Sequence, residues 1–150
     1  MCSVGALCFH RRGAAESAPD SDFFDVMQAR LALVGGLIPE ALLCTRWRRM
    51  GRPPQALTDC LDSGRLRSIA RVPHHRWIPA FQLQVDGCTP REDVAVVADE
   101  LEGAMDAAEI LAWFACSNAA LDGRTPLSRL RANLPAVLEA ARLDRFIGSA

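Results

Sequence analysis

Proline and glycine divide this chain of 150 residues into short segments, and their positions constrain the fold more than any other feature. Proline fixes φ and lacks an N–H, so it is favoured in the first turn of a helix and disfavoured inside one. Glycine adopts positive φ without strain and commonly follows the end of a helix. Most segments between these residues carry apolar side chains at helical spacing. The sequence therefore predicts a mainly α-helical protein built from short helices.

The first half of the chain has the outline of a helix-turn-helix followed by a small β-hairpin. Three helices are predicted before residue 65, over about 21–34, 39–50 and 53–63, and each is followed by glycine. Between Leu66 and Val85 the apolar residues fall in short runs, which predicts two strands around a turn at residues 73–75. Two helices and a hairpin in this order are typical of winged or excisionase-like DNA-binding modules.

The second half returns to helical spacing. Thr89-Pro90-Arg91-Glu92 and Asp106-Ala107-Ala108-Glu109 each have the pattern of a capping box at a helix start. A turn is predicted over 118–123, a short helix at Thr125-Pro126, and a last helix from Pro135. The side chains expected to face inward are Val94, Val97, Leu101, Ile110, Trp113, Phe114, Val137, Leu138, Ala141 and Phe146.

These segments predict three regions: a flexible arm over 1–21, a DNA-facing module over 22–85 and a helical interaction domain over 86–150. Met27 is an alternative start, because the patterned sequence begins near it. No apolar run approaches the roughly 20 residues of a membrane span, and the basic pair Arg11-Arg12 follows the apolar start instead of preceding it. A cytoplasmic protein without a membrane partner is therefore expected.

The cysteines fit a reducing compartment. None of the six forms a C-x-x-C pair, and Cys2, Cys8 and His10 lack a second ligand pair at zinc spacing. No metal site is expected. No phosphate-binding glycine loop and no nucleophile elbow occurs either, so neither a catalytic residue nor a cofactor is expected.

Charge is distributed unevenly along the chain. All 17 basic residues are arginines and the net charge is −1. Residues 41–82 carry eight arginines and two acids, whereas residues 83–123 carry one arginine and nine acids. Several cations on one face bind phosphates, so the basic segment predicts DNA contact. The candidates are Arg46, Arg48, Arg49, Arg52, Arg65, Arg67, Arg71 and Arg76.

Other interpretations of both charged segments remain open. Arginine near a helix C-terminus is favoured by the helix dipole, and the remaining arginines can form a solvated face. The predicted helix over 53–63 carries Asp59 and no arginine, which is unusual for a recognition helix. The acids fall at helix starts and on predicted solvent faces, and stabilisation of the helix dipole explains Glu92, Asp93, Asp106 and Glu109. An enzyme that uses them would need two carboxylates converging in a pocket with perturbed pKa values.

The most specific signal lies in the second half. The segment runs Glu109-Ile-Leu-Ala-Trp113-Phe-Ala-Cys-Ser117-Asn118, continues with Leu121-Asp-Gly-Arg-Thr-Pro-Leu127, and is followed by Pro135-Ala-Val-Leu-Glu-Ala-Ala141. It resembles the toxin-binding domain of the Xre/MbcA/ParS antitoxin family. The upstream residues 77–82, Trp-Ile-Pro-Ala-Phe-Gln, are similar to an element that joins the two halves in that family. The resemblance covers about residues 35–147 and is strongest over 105–141. Ser117 stands where the family usually has proline.

The resemblance implies a small antitoxin that forms a homodimer, represses its own operon through DNA binding and neutralises a RES-type toxin, an enzyme that consumes NAD. In such proteins the C-terminal residues block the entrance of the toxin's active site. By analogy the candidate partner-binding residues are Arg124, Arg142, Arg145, Phe146 and Ile147. The alternative is a stand-alone interaction module with a degenerate DNA-binding half and no toxin partner.

Overall fold

The computed structural model describes residues 21–72 and 74–149, so the predictions made for residues 1–20 and Pro73 lie outside the described residues. These residues form seven α-helices and one three-stranded sheet, which confirms the mainly α prediction. In chain order they are α1 (Ser21–Leu31), β1 (Leu37–Pro39), α2 (Glu40–Arg49), α3 (Pro54–Asp62), β2 (Ile69–Val72), β3 (His75–Pro79), α4 (Glu92–Leu101), α5 (Ala107–Ala115), α6 (Pro126–Arg129) and α7 (Leu134–Gly148). Among them no helix combines the length and the apolar character that a membrane span needs.

The sheet is antiparallel with strand order β1-β3-β2. The β2–β3 hairpin was predicted, and its turn contains His74 at φ +67°. Strand β1 was not predicted. It pairs Ile38 with Ile78, and its last residue, Pro39, is the N-cap of α2 instead of its first helical residue. The third strand therefore ties the start of α2 to the hairpin.

Buried side chains form two cores. The smaller core lies between β1, α2, α3 and β3 and contains Leu43, Trp47, Leu57 and Ile78. The larger core is built by α1, α4, α5 and α7 and includes Phe114, and large side chains buried this completely each contribute about 1.5–3 kcal/mol to folding. The packing of each core explains why helices of only 9–15 residues are stable here.

Helix α1 packs in the larger core with the C-terminal helices, although the sequence analysis placed it in the DNA-facing module over 22–85. Phe23, Phe24, Met27 and Leu31 are all buried there. Phe24 also meets Trp77 of β3 edge to face, with ring centroids 5.2 Å apart. Helix α1 thus connects the hairpin with the C-terminal helices.

Two further local predictions are wrong. Helix α4 begins at Glu92 with Arg91 as its N-cap and without a side-chain cap, so residues 89–92 do not form a capping box. The hydroxyl of Thr89 instead donates a hydrogen bond to the carboxylate of Asp86. Phe146 was expected to face inward, but 76% of its surface is exposed. The box at Asp106 and Glu109 is present as predicted.

Candidate interaction surfaces

Four of the eight arginines of the basic segment are paired with acids elsewhere in the fold. The pairs are Arg65–Glu92 at 3.1 Å, Arg67 with Asp99 and Glu102 at 3.4 Å each, Arg71–Asp25 at 3.9 Å and Arg76–Glu40 at 2.8 Å. Three of the five carboxylates come from the acidic segment. The uneven charge of the sequence is thus partly balanced within the molecule.

Arg67 is the most enclosed of these side chains, with 7% of its surface exposed. Its guanidinium donates to the Gly64 carbonyl at 2.7 Å and reaches the carboxylates of Asp99 and Glu102. Its backbone exchanges hydrogen bonds with the Gln82 side chain at 2.8 and 2.7 Å. Arg67 therefore fastens the start of the hairpin to α4 and is not placed to contact DNA.

Arg76 has a similar structural part in the hairpin. Its Nε and Nη2 donate to the two oxygens of Glu40 at 2.8 Å each, a bidentate pair. Hydrogen bonding to Glu40 raises the pKa of Arg76, although its burial opposes this. The pair joins β3 to the first residue of α2.

The other four arginines surround the C-terminal end of α2. We refer to Arg46, Arg48, Arg49 and Arg52 as the α2-end cluster. Arg48 and Arg49 are exposed, while Arg46 and Arg52 are half-buried. Within residues 21–72 and 74–149, no member of the cluster forms an ion pair. The cluster is therefore the part of the basic segment that remains available to an external anion.

Arg52 is oriented by a loop over residues 84–90. Its guanidinium carbon lies 5.2 Å from the Trp47 ring centroid, and its Nη2 donates to the Thr89 hydroxyl at 2.7 Å. The hydrogen bonds from Thr89 and from the Cys88 N–H lower the pKa of Asp86 to about 2. The loop thus holds an ionised carboxylate next to one edge of the cluster.

Helix α3 does not extend this basic surface. On its exposed side Gln55 donates to Asp59 at 3.1 Å, and Asp62 is exposed at its end. The helix contributes no cation, as the sequence already indicated. Within the basic segment, the arginines without an ion pair are therefore those at the end of α2, and arginine side chains of this kind can contact phosphates.

The second candidate surface depends on three polar side chains in the C-terminal half. The Trp113 indole N–H and the Asn118 amide both donate to Oδ2 of Asp144, at 2.6 and 2.8 Å. Trp113 and Asn118 are buried, and Asp144 lies in α7. Asp144 was not predicted from the sequence. Its partners are 31 and 26 residues away, and no local pattern indicates that they contact it.

Asn118 also organises the loop that resembles the antitoxin motif. Its side-chain oxygen accepts from the Ala120 N–H at 2.9 Å, and its backbone N–H donates to the Arg124 carbonyl at 3.0 Å. Thr125 caps α6 and the buried Pro126 is at its start, as predicted. The Arg124 side chain is exposed on this loop. The motif residues thus build a closed loop and attach it to α7.

The last turns of α7 expose large apolar side chains to solvent. Leu143, Phe146 and Ile147, which we call the α7-end surface, are 49%, 76% and 63% exposed. Beside them Arg142 and Arg145 share one carboxylate, that of Glu100, at 3.3 and 3.5 Å. Four of the five predicted partner-binding residues thus lie together, and Arg124 lies on the neighbouring loop. Glu100 was not predicted.

Several carboxylates of the acidic segment take part in structural contacts. No group of three or more potential metal ligands occurs among them. Asp99 and Glu102 converge, but on the guanidinium of Arg67. The carboxylates of Asp86 and Asp93 both have lowered pKa values. At Asp93 burial acts to raise the pKa, but the hydrogen bonds and charge of Arg91 together with backbone hydrogen bonds outweigh it. Such carboxylates stay ionised and are poor proton donors.

Comparison with known proteins returned no match, either to a family model or to a curated protein or solved structure.

Proposed function

We propose that this chain is a non-enzymatic, antitoxin-like regulator that acts in the cytoplasm and binds a RES-type toxin through the end of α7. The observation that carries the proposal is the exposure of Phe146 and Ile147 at the end of a helix whose residues Val137 and Ala141 are fully buried. Large apolar side chains that cluster on a surface commonly mark protein–protein contacts, and buried aromatic anchors contribute most of the binding energy.

The way α7 is held supports this function. Hydrogen bonds from Trp113 and Asn118 fix Asp144 one turn before Ile147, and Glu100 fixes Arg142 and Arg145. A surface that is ordered before the partner arrives loses less conformational entropy on binding. The same Trp113 and Asn118 belong to the segment that resembles the antitoxin family. Motif and exposed surface are therefore parts of one arrangement.

A co-expression experiment tests the proposal. The chain is produced together with a RES-type toxin encoded next to its own gene, and growth and copurification are measured. We expect the wild type to restore growth and to copurify with the toxin. The double variant Phe146→Ser/Ile147→Ser should lose both effects. Leu33→Ser is the matched control, because Leu33 is 98% exposed and belongs to another part of the surface.

Full neutralisation by the double variant would exclude the α7-end surface as the toxin contact. Failure of the wild type to bind any such toxin would favour the alternative, a stand-alone interaction module.

The α2-end cluster supports operator DNA binding as a second function. Its four arginines lie at one helix end and form no ion pair in the described part of the chain, and only Arg52 has a carboxylate, that of Asp86, close enough to interact with it through its charge. Phosphates could therefore neutralise Arg46, Arg48 and Arg49. The test is binding to the DNA upstream of its own gene over a series of salt concentrations. Arg48→Gln/Arg49→Gln should reduce the steepness of the plot of log binding constant against log salt concentration by about 2. Arg65→Gln/Arg71→Gln, which removes paired arginines, should reduce it less. No binding by the wild type at low salt would reject this function.

A further inference from the structure

A carboxylate without a cation lies next to the α7-end surface. Asp144 is half-buried in α7, and within residues 21–72 and 74–149 it forms no ion pair. The arginines nearest to it in sequence, Arg142 and Arg145, both contact Glu100 instead, at 3.3 and 3.5 Å. Charged groups that are withdrawn from water are commonly paired. The charge of Asp144 is therefore not balanced by the arginines on its own helix.

The place of Asp144 in the helix also disfavours a negative charge. Helix α7 ends at Gly148, so Asp144 lies about one turn from its C-terminus. The last carbonyls of a helix carry partial negative charge, which repels a carboxylate nearby. A neutral amide oxygen could accept the same hydrogen bonds from Trp113 and Asn118. Those two hydrogen bonds therefore do not by themselves account for a carboxylate at this position.

One oxygen of Asp144 remains available to another molecule. The Trp113 indole N–H and the Asn118 amide both donate to Oδ2, at 2.6 and 2.8 Å. Oδ1 accepts no hydrogen bond from the part of the chain that the structure describes. Because both donors belong to buried residues, they fix the orientation of the carboxylate. A charged acceptor that is oriented and partly accessible is suited to a cation, with which it forms a charge-assisted hydrogen bond.

The position of Ile147 connects Asp144 to the proposed toxin contact. Residues three positions apart lie on the same side of a helix, so Ile147 follows Asp144 on one stripe, about 4.5 Å further along the axis. Ile147 and Phe146 are 63% and 76% exposed. A partner that covers these two side chains would also exclude water from Asp144, which strengthens any charge pair formed there.

We propose that Asp144 determines the specificity of the toxin contact, with its Oδ1 accepting a hydrogen bond from an arginine or lysine side chain of the toxin. This contact rests on the proposed function, because the toxin brings the cation when it covers Phe146 and Ile147. The toxin surface would thus hold an apolar pocket and a cation side by side. A partner with an apolar or acidic group at that place would bury the carboxylate unpaired and is selected against.

The variant Asp144→Asn separates the charge from the hydrogen bonds, since its amide oxygen can still accept from Trp113 and Asn118. Affinity of the full chain for the RES-type toxin encoded next to its own gene is measured by titration calorimetry. We expect Asp144→Asn to weaken binding at least about tenfold, as the loss of one partner of an enclosed charge pair should. Thermal unfolding should show a midpoint close to that of the wild type.

Asp122→Asn is the matched control. Asp122 is an exposed acid of the neighbouring loop, so the variant has the same net charge as Asp144→Asn. Asparagine also tolerates the positive φ of 56° at this position. Asp122→Asn should bind the toxin as the wild type does. An equal loss of affinity in both variants would mean that net charge, and not a contact at Asp144, governs binding, and would overturn the inference.

Four further results are decisive. Wild-type affinity in Asp144→Asn, with binding still weakened by Phe146→Ser, would overturn the inference and leave the proposed function intact. A wild type that binds no such toxin would overturn both. If Asp144→Asn does not fold, each exposed arginine and lysine of the toxin is replaced by glutamine and tested against the wild-type chain. One replacement should weaken binding about tenfold, and a series in which none does would overturn the inference.

Discussion

Arginines serve opposite purposes in two regions of this molecule. Near α4, the guanidinium groups of Arg65 and Arg67 are paired with Glu92, Asp99 and Glu102, so their charge is balanced within the fold. At the end of α2, the α2-end cluster has no such partner among the described residues. Charge density in a sequence therefore does not by itself identify a binding surface. What matters is which charges the tertiary structure leaves unpaired.

Removing the most enclosed charge should give the largest effect on stability. Arg67→Met keeps the volume but deletes the hydrogen bond to Gly64 and the contacts with two carboxylates. Because those carboxylates remain largely exposed, they are not stranded, and we expect a loss of about 2 kcal/mol in the free energy of unfolding. Urea denaturation measures it. A change below about 0.5 kcal/mol would place Arg67 with the unpaired arginines.

The pair of Arg76 and Glu40 should give a smaller effect. It is bidentate but partly exposed, so solvent weakens it, and a coupling energy of about 0.5–1 kcal/mol is expected. A double-mutant cycle with Arg76→Gln and Glu40→Gln measures the coupling directly. Additive single effects would mean that this arginine is not structural.

The stability contributed by Asp86, which lies next to the α2-end cluster, should depend on pH. Its pKa in the folded protein is lowered to about 2 from 3.8, so its carboxylate stabilises the fold above about pH 4. This contribution is lost as the pH falls through 2. The wild type should therefore be more stable than Asp86→Asn near neutral pH, and the difference should shrink at acidic pH. Thermal unfolding at several pH values measures it. A difference that is independent of pH would show that ionisation of Asp86 is not involved.

The smallest effect on stability is expected at the end of α2. Arg48→Gln/Arg49→Gln removes two exposed charges without an acidic partner in the described residues, so the free energy of unfolding should change by less than about 0.5 kcal/mol. The same urea titration that is used for Arg67→Met provides the comparison. A loss as large as that of Arg67→Met would mean that the cluster is structural and that the contrast between the two regions is mistaken.

Local chemistry explains what could be predicted from the sequence. Gly35, Gly51 and Gly64 follow the first three helical segments at positive φ. Glycine adopts this conformation without help from distant residues, so the helix ends could be predicted locally. Pro54 and Pro126 start helices for the same reason. The hairpin and the buried Trp113 and Phe114 also follow from apolar spacing over a few residues.

What could not be predicted depends on residues distant in sequence. Strand β1 has only three residues and forms because β3 pairs with it. Thr89 does not cap α4, because that helix begins at Glu92 with Arg91 as its N-cap, and the Thr89 hydroxyl donates to Asp86 and accepts from Arg52 instead. Arg67 is flanked by the exposed Arg65 and Arg71, and its burial is set by acids 32 and 35 residues away. Phe146 lies beyond the last turn of α7 that the core covers, a limit that helical spacing does not reveal.

The most direct test of the account is the affinity of the full chain for its RES-type toxin, measured by titration calorimetry for the wild type, Phe146→Ser and Leu33→Ser. If the end of α7 holds the toxin, Phe146→Ser should weaken binding by at least tenfold, as the loss of an aromatic anchor should, and Leu33→Ser should bind as the wild type does. Equal affinities for all three proteins would contradict the claim that the end of α7 is the surface that holds a partner.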